Sequence, residues 1–309
     1  MKQHTAGTPY CVGDVHFYTL ETETGFVMFD TGPPTTEMRD YLNNNLNLQK
    51  LEKVFVTHCH IDHCGMLDFL ASNSDAEIYI PRVDSIMCRN NLKRLKTIRT
   101  LCIDMGFSAE ITEKMLGMYD HVNFIPDKHN ILEDSVDALK ELNLSYTSFK
   151  WHSQSDIVFM HENLAISGDI MLQDIFTTPL IDSDANDLQL RFNNYGHFCE
   201  ALVRLSKIGS YKLLPGHRKT LDDQKQWLIF YISKTLQRTI KLLPRLGKES
   251  PAEIVRSIIC DMDSKPYDAF IKLSEIMFFK DILAKPELLK DTLSTIGLYD
   301  NFRQQLDLL

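Results

Sequence analysis

The stretch that most constrains this chain is Thr57-His58-Cys59-His60-Ile61-Asp62-His63-Cys64-Gly65, which follows the short apolar run Val54-Phe55-Val56. Six residues hold three of the chain's 11 histidines and one carboxylate. His58 and His60 are two apart, so an extended or turning backbone points them the same way. Asp62 and His63 then face a neighbouring position as the chain bends into a helix through Met66, Leu67 and Leu70. This mixture of nitrogen and oxygen donors suits zinc and other borderline metals. A chance histidine cluster on a loop is the alternative.

Three later segments weigh against chance. His152 follows Leu142–Phe149, Asp169 ends Leu164-Ala165-Ile166-Ser167-Gly168, and His217 closes Leu213-Leu214-Pro215-Gly216. Each polar residue comes just after a short apolar strand signal, where loops at one sheet edge would converge. Taken singly, His152 or His217 reads as an ordinary histidine; in this order, with the first cluster, they read as one site.

These four segments, with the Asp30-Thr31-Gly32 turn, resemble the metallo-β-lactamase superfamily over about residues 15–220. The resemblance implies an α/β fold, a four-layer αβ/βα sandwich with metals at one edge. It implies His58, His60 and His152 on one divalent metal and Asp62, His63 and His217 on a second, with Asp169 bridging. Zinc is the expected metal, with iron and manganese as alternatives, since His and Asp suit all three. Two departures stand out: Lys150-Trp151 where the family often has Pro-Gly before the third histidine, and Gln154-Ser155 where a Gly often follows it. They alter loop shape and the pocket wall rather than ligand chemistry.

The rest of the chain reads as organisation around that edge. Val15–Leu20 and Phe26–Phe29 form a hairpin with Gly25 in the turn. Residues 35–50 carry helical spacing, and Glu77–Ile80 is a strand ended by Pro81. Residues 82–120 read as helical, with basic and apolar positions interleaved. Such a charge run ordinarily forms a solvated face, yet its place between motif segments makes it a candidate cover. Strands recur at Ile157–Met160, Leu164–Ile166 and Lys212–Leu214, with a helix over 197–208. From Asp222 to Leu309 the pattern is helical, with breaks expected at Pro244, Gly247, Pro251, Pro266 and Pro286. The division expected is a catalytic domain over 1–220 and a helical C-terminal extension over 221–309 packed on it. The amphipathic faces of the cover and the extension are expected to form one wall of the pocket.

Composition narrows the function. A net charge of −9 over 309 residues gains nothing from nonspecific phosphate attraction, so nucleic acid is a disfavoured partner and a small molecule the favoured one. No apolar run reaches the roughly 20 residues that cross a bilayer. Seven scattered cysteines (Cys11, Cys59, Cys64, Cys88, Cys102, Cys199 and Cys260) and no secretory segment fit a cytoplasmic protein. None is expected to be a nucleophile, and Cys59 and Cys64 are expected to be packing residues.

In the expected chemistry two cations bring a bridging water to hydroxide near neutral pH, with Asp62 orienting it or shuttling its proton. Only 47 residues separate Asp169 from His217, too few for the inserted domain of the RNA-processing branch. His60 stands where flavodiiron proteins place a Glu, and Leu172 where acyl-homoserine lactonases carry a Tyr. The remaining resemblance is to glyoxalase II-like thioesterases, and in its helices to the quinolone-response thioesterase. Three readings stay open: hydrolysis of a thioester or similar small ester, phosphodiester hydrolysis, and a metal-containing sensor or regulatory protein. Trp151, Phe176, Phe192 and Tyr195 are candidate pocket-wall residues by their nearness to ligands in sequence. Arg191, Arg218 and Lys219 could meet an anionic group. A homodimer contact is the alternative use of the extension.

Overall fold

The computed structural model describes residues 1–10, 12–119, 124–208 and 211–309. Cys11 and residue 120 therefore lie outside the described residues. One sheet has six strands in the order β1 (Lys2–Ala6), β2 (Val15–Glu21), β3 (Phe26–Phe29), β4 (Leu51–Phe55), β5 (Glu77–Ile80) and β6 (Asn130–Ile131). Pairing is antiparallel through β3 and parallel from β3 to β6. The second sheet comprises β7 (Ser145–Phe149), β8 (Asp156–His161), β9 (Leu164–Gly168) and β10 (Lys212–Pro215), in the order β10-β9-β8-β7. β7, β8 and β9 are antiparallel neighbours, and β9 runs parallel to β10.

Strand side chains alternate between two different cores, as the two-residue period of a strand requires. Tyr18, Val27, Phe29, Phe55 and Tyr79 meet Ile157, Phe159, Ile166 and Leu214 between the sheets. Their neighbours Phe17, Met28, Val54, Ile78 and Ile80 face outward onto Met38, Leu42, Leu67 and Leu70. Those side chains belong to α1 (Thr36–Asn45) and α3 (Leu67–Asn73), the latter following the single turn α2 (Ile61–Cys64). On the far side Val158, Ala165 and Leu213 pack with α8 (Asn194–Ile208) and the C-terminal helices. Burial on both faces explains why the strands read as near-continuous apolar runs. The result is the expected four-layer αβ/βα sandwich.

Helices α4 (Arg82–Arg89), α5 (Asn91–Asp104) and α6 (Ala109–Leu116) fill the expected helical cover, and α7 (Val136–Lys140) precedes β7. The C-terminal helices are α9 (Gln224–Leu246), α10 (Pro251–Ile258), α11 (Pro266–Ala284), α12 (Pro286–Thr295) and α13 (Tyr299–Leu306). Pro251, Pro266 and Pro286 each open a helix, where a missing N–H costs nothing. Pro244 does not break the chain: it sits in the last turn of α9, which runs on to Leu246. Strand β1 has no counterpart in the sequence reading. Its residues are mostly polar because it is an edge strand, held by His4, which stacks on Phe17 at 4.8 Å and bonds Thr19 Oγ1 at 2.9 Å and Tyr41 Oη at 3.0 Å. No helix among the described residues is long and apolar enough to cross a membrane.

Candidate metal centre

The site forms where strands β3, β4, β7, β9 and β10 end at one edge of the sandwich. The first sheet delivers Asp30 after β3 and His58 to His63 after β4; the second delivers His152 after β7, Asp169 after β9 and His217 after β10. Backbone hydrogen bonds sew the sheets together there, Ile157 N to Thr57 O at 2.9 Å and His16 N to Gly216 O at 2.6 Å, while Gly216 N to Gly168 O at 2.8 Å ties the ends of β10 and β9 within the second sheet. Two glycines are required by close approach. A Cβ on Gly216 would lie 2.4 Å from His63 Cε1 and 2.6 Å from Asp169 Oδ1; one on Gly168, at φ +49°, would lie 2.6 Å from Thr57 Oγ1.

Seven side chains converge in two groups. His58 Nε2 lies 3.1 Å from His60 Nδ1, which lies 2.9 Å from His152 Nε2. His217 Nε2 lies 3.2 Å from Asp62 Oδ2, and His63 completes that group. Asp169 reaches both, with Oδ1 3.4 Å from His63 Nε2 and Oδ2 3.6 Å from His217 Nε2 and 3.9 Å from His152 Nε2.

The outer atoms of the rings fix which nitrogens face inward. Thr57 donates its hydroxyl to Asp30 Oδ2 at 2.8 Å, so the 3.0 Å contact of His58 Nδ1 with Thr57 Oγ1 is a donation by the ring. His63 Nδ1 donates to Asp30 Oδ2 at 2.8 Å, and His217 Nδ1 to Asp14 O at 2.7 Å. Each bond leaves an Nε2 lone pair aimed at the cluster, which is how a second partner prepares a metal-binding imidazole.

Electrostatics agrees. Burial, then the neighbouring histidines, pulls His58 and His60 well below the usual histidine range, so both are neutral and able to ligate. Burial also opposes charge on His63 and His217, but Asp169, with Asp30 beside His63 and Asp62 beside His217, outweighs it and raises both. The carboxyls of Asp62 and Asp169 are held down against burial, chiefly by His217 and also by His63. The cluster is thus organised around negative carboxylates that want cations. The residues present fit metal ions on a further count: His63 Nε2, His217 Nε2 and Asp169 Oδ1 are buried with no hydrogen-bond partner among the described residues. Each such atom costs about 1–3 kcal/mol unless something satisfies it, and all three point into the same space.

Known proteins resemble this chain in sequence and fold. The family model of the metallo-beta-lactamase superfamily matches residues 12–189. The chain belongs to that superfamily. It is 23% identical over 299 residues, 91% of either chain, to a probable metallo-hydrolase of Bacillus subtilis (strain 168), YqjP. Among solved structures it resembles a metallo-beta-lactamase family protein of Thermus thermophilus, with a TM-score of 0.71 and 18% identity, covering 92% of this chain and 94% of that one. A beta-lactamase domain protein of Burkholderia ambifaria gives 0.70 and 16%, over 92% and 86%. The protein is a hydrolase of the superfamily.

Beside the first group lies a closed-in cavity of about 40 Å³, bordered by His60 and His152. Helices α4 and α5 supply Val83, Asp84, Met87, Cys88 and Arg94 to its lining. The C-terminal helices do not line it. They hold the segment that does: Ser274 Oγ accepts from Ile181 N at 3.0 Å, and Asp281 pairs with Arg191 at 2.5 Å. Gln154, one of the two family departures, also serves this wall, donating to Ser183 O at 2.6 Å and accepting from Ala185 N at 3.1 Å.

Of the expected wall residues only Phe192 lines the cavity. Trp151 is fully buried against Phe198 and Tyr231, its indole N–H on Thr177 Oγ1 at 3.2 Å. Its neighbour His152 takes the other side of the chain, so nearness in sequence puts Trp151 in the core. Tyr195 is a clamp between α8 and the C-terminal helices, donating to Lys285 O and accepting from Leu289 N, both at 3.0 Å. Phe176 packs under Arg238 and beside Tyr231. Arg218 and Lys219 are exposed, and the Arg218 carbonyl accepts from His16 Nε2 at 2.7 Å. Cys64 is buried; Cys59 lines the cavity, and a hydrogen bond with the free thiol of Cys64, then burial, pushes its thiol pKa up, away from nucleophile behaviour.

Residues that sequence reasoning missed include Arg94, Tyr119, Asp182 and Asn194, all lining the cavity. Arg94 grips Asp182 through Nε at 2.8 Å and Nη2 at 2.7 Å and lies 4.7 Å above the Tyr119 ring. Asp156 is another: it accepts from the backbone N–H of Trp151, His152 and Ser153 at 3.1, 2.8 and 3.0 Å and so shapes the turn that presents His152. Tyr10, half-buried in the loop before β2, lies in the field of Asp62.

Proposed function

We propose that the protein hydrolyses a thioester or a similar small ester with two divalent metal ions, zinc foremost. The observation that carries this reading is the pair of His/Asp groups sharing Asp169, the first of which, through His60 and His152, borders a small cavity. Two ions held there would supply an activated water and polarise the substrate carbonyl. His58, His60 and His152 would hold one, and Asp62, His63 and His217 the other, with Asp169 between them. Asp62 can also orient the attacking water, since its carboxylate is held in the ionised form and one oxygen remains beyond the His217 contact. Asp30 and Asp14 O keep His63 and His217 turned toward the ions throughout.

A cavity of about 40 Å³ with an internal Arg94–Asp182 pair is not a basic groove, which counts against a polynucleotide substrate. The C-terminal helices do not seal the ligands, which counts against a purely regulatory site. The test is a turnover screen of zinc-loaded protein against thioester, oxygen ester, lactone and phosphodiester panels. The highest kcat/KM is expected among thioesters and small esters; a phosphodiester in first place, or no turnover of any ester, overturns the reading.

A further inference from the structure

Three imidazoles of the centre have their outer nitrogen held by a fixed partner: His58 by Thr57, His63 by Asp30 and His217 by Asp14 O. His60 and His152, which border the cavity, are held otherwise. His152 Nδ1 has no hydrogen-bond partner among the described residues, and Asp156 fixes its peptide instead by accepting from three successive backbone N–H groups. The ring of His60 uses Nδ1 toward His58 and His152, and its Nε2 has no hydrogen bond among the described residues. The orientation of that ring therefore depends on the backbone that carries it.

On the downstream side His60 O accepts from His63 N at 2.9 Å and Cys64 N at 3.0 Å, the first bonds of α2. On the upstream side the Cys59 N–H, one peptide before His60, donates to Asp84 Oδ2 at 2.9 Å. Asp84 belongs to the cover helix α4, and α4 is pinned on either side of it. Arg82 N donates to Glu133 Oε2 at 2.8 Å. His129 Nδ1 donates to Pro126 O at 2.7 Å, which leaves its Nε2 to accept from Ser85 Oγ at 2.9 Å. The carboxylate thus stands on a fixed post. An acid in the first turn of a helix also complements the helix dipole, but that service to α4 asks nothing of Cys59 and nothing of a metal.

We propose that Asp84 is a positioning residue for the first metal site: its carboxylate fixes the Cys59 peptide so that His60 Nδ1 stays turned toward His58 Nε2 and His152 Nε2. The proposal rests on the two-ion reading for what the ring binds, while the hold on the peptide is measurable in metal-free protein.

The experiment compares Asp84→Ala with Asp84→Asn in the full-length chain. Asparagine keeps an oxygen acceptor of the same reach without the charge. In metal-free protein, amide hydrogen exchange at Cys59 should quicken about 10–100-fold in Asp84→Ala, as loss of a hydrogen bond to a charged group implies, and stay near the parental rate in Asp84→Asn. Zinc affinity is then read by competition with a chromogenic chelator in two backgrounds: His217→Ala, which retains the first group, and His60→Ala, which retains the second. Asp84→Ala should weaken zinc about 10–100-fold in the first background and leave the second unchanged, with Asp84→Asn restoring most of the loss. Should the alanine protein not fold, Asp84→Leu removes the acceptor while keeping the bulk. A parent chain that takes up no zinc while Cys59 exchange still depends on Asp84 loses the two-ion reading and keeps the hold on the His60 backbone. Exchange at Cys59 indifferent to Asp84, equal weakening in both backgrounds, no weakening in either, or asparagine as damaging as alanine overturns the proposal.

Discussion

The two ligand groups of the centre are built differently. Asp62, His63 and His217 are buried, and both imidazoles of that group donate their outer N–H to a fixed acceptor, Asp30 or Asp14 O. His58 is buried with a Thr57 contact, but His60 and His152 are half-buried and border the cavity, and His152 Nδ1 has no hydrogen-bond partner among the described residues. One group is part of the seam that closes the sandwich; the other borders the cavity. The difference teaches that holding an ion and leaving room beside it are separate demands, met here on opposite sides of Asp169.

Asp169→Ala should produce the largest effect, because it removes the one residue common to both sides. Elemental analysis should find both ions depleted and turnover at background, with the circular dichroism spectrum retained; two ions and near-normal rates would show that the groups are independent of it. Next comes a direct contrast on chelated protein. His217→Ala empties a fully buried site and strands Asp14 O, so unfolding by urea should show a loss of about 1–3 kcal/mol. His60→Ala, half-buried, should stay within about 0.5 kcal/mol of the parent, although each variant loses one ion. Equal urea midpoints would erase the distinction between the two sides.

A subtler change sharpens it. Asp30→Asn keeps the shape but weakens the hold on His63 Nδ1, and competition with a chromogenic chelator should reveal one site weakened by about 10–100-fold and one unchanged. Weakening of both sites alike would mean that Asp30 braces the whole centre through Thr57. The smallest effect lies outside both groups. Burial, with a contribution from Lys2, lowers the His4 pKa to about 4 from its ordinary 6.5. The unfolded chain then binds the proton more readily, so this contribution is complete above pH 6.5 and is lost as pH falls toward 4. Thermal melts of His4→Phe should be flatter with pH across that window; an unchanged slope would assign the acid sensitivity to the ligand cluster instead.

The convergence of the His/Asp cluster was legible because its chemistry is dense in sequence and its members follow strand signals. His58 to His63 declare themselves, and Gly168-Asp169 and Gly216-His217 pair a ligand with the glycine that its crowding requires. The inner strands were legible because burial makes them largely apolar, and β1 and the two-residue β6 were not, because an edge needs no such run. The cavity was illegible. Arg94, Tyr119, Asp182 and Asn194 come from three separate segments, and nothing in their local spacing marks them as neighbours. Trp151 and Tyr195 show the converse error: a position beside a ligand in sequence says nothing about which way the side chain turns, and both turn into the core.

The C-terminal helices are continuous with the pocket in a sense that bears on inheritance. Their core runs from Phe270 and Phe278 through Phe198 to Trp151, with no seam near residue 221. Tyr119, on the cavity wall, stands edge-on to Phe270 of α11 at 5.9 Å. A change of size at Phe270 would therefore be felt at the cavity wall. The extension cannot be exchanged between relatives like a cassette, because a transplanted α11 would arrive with the wrong backing for Tyr119. In a lineage of such enzymes, α11 and the residues it supports around the pocket must drift together, and new specificities should carry paired changes in both.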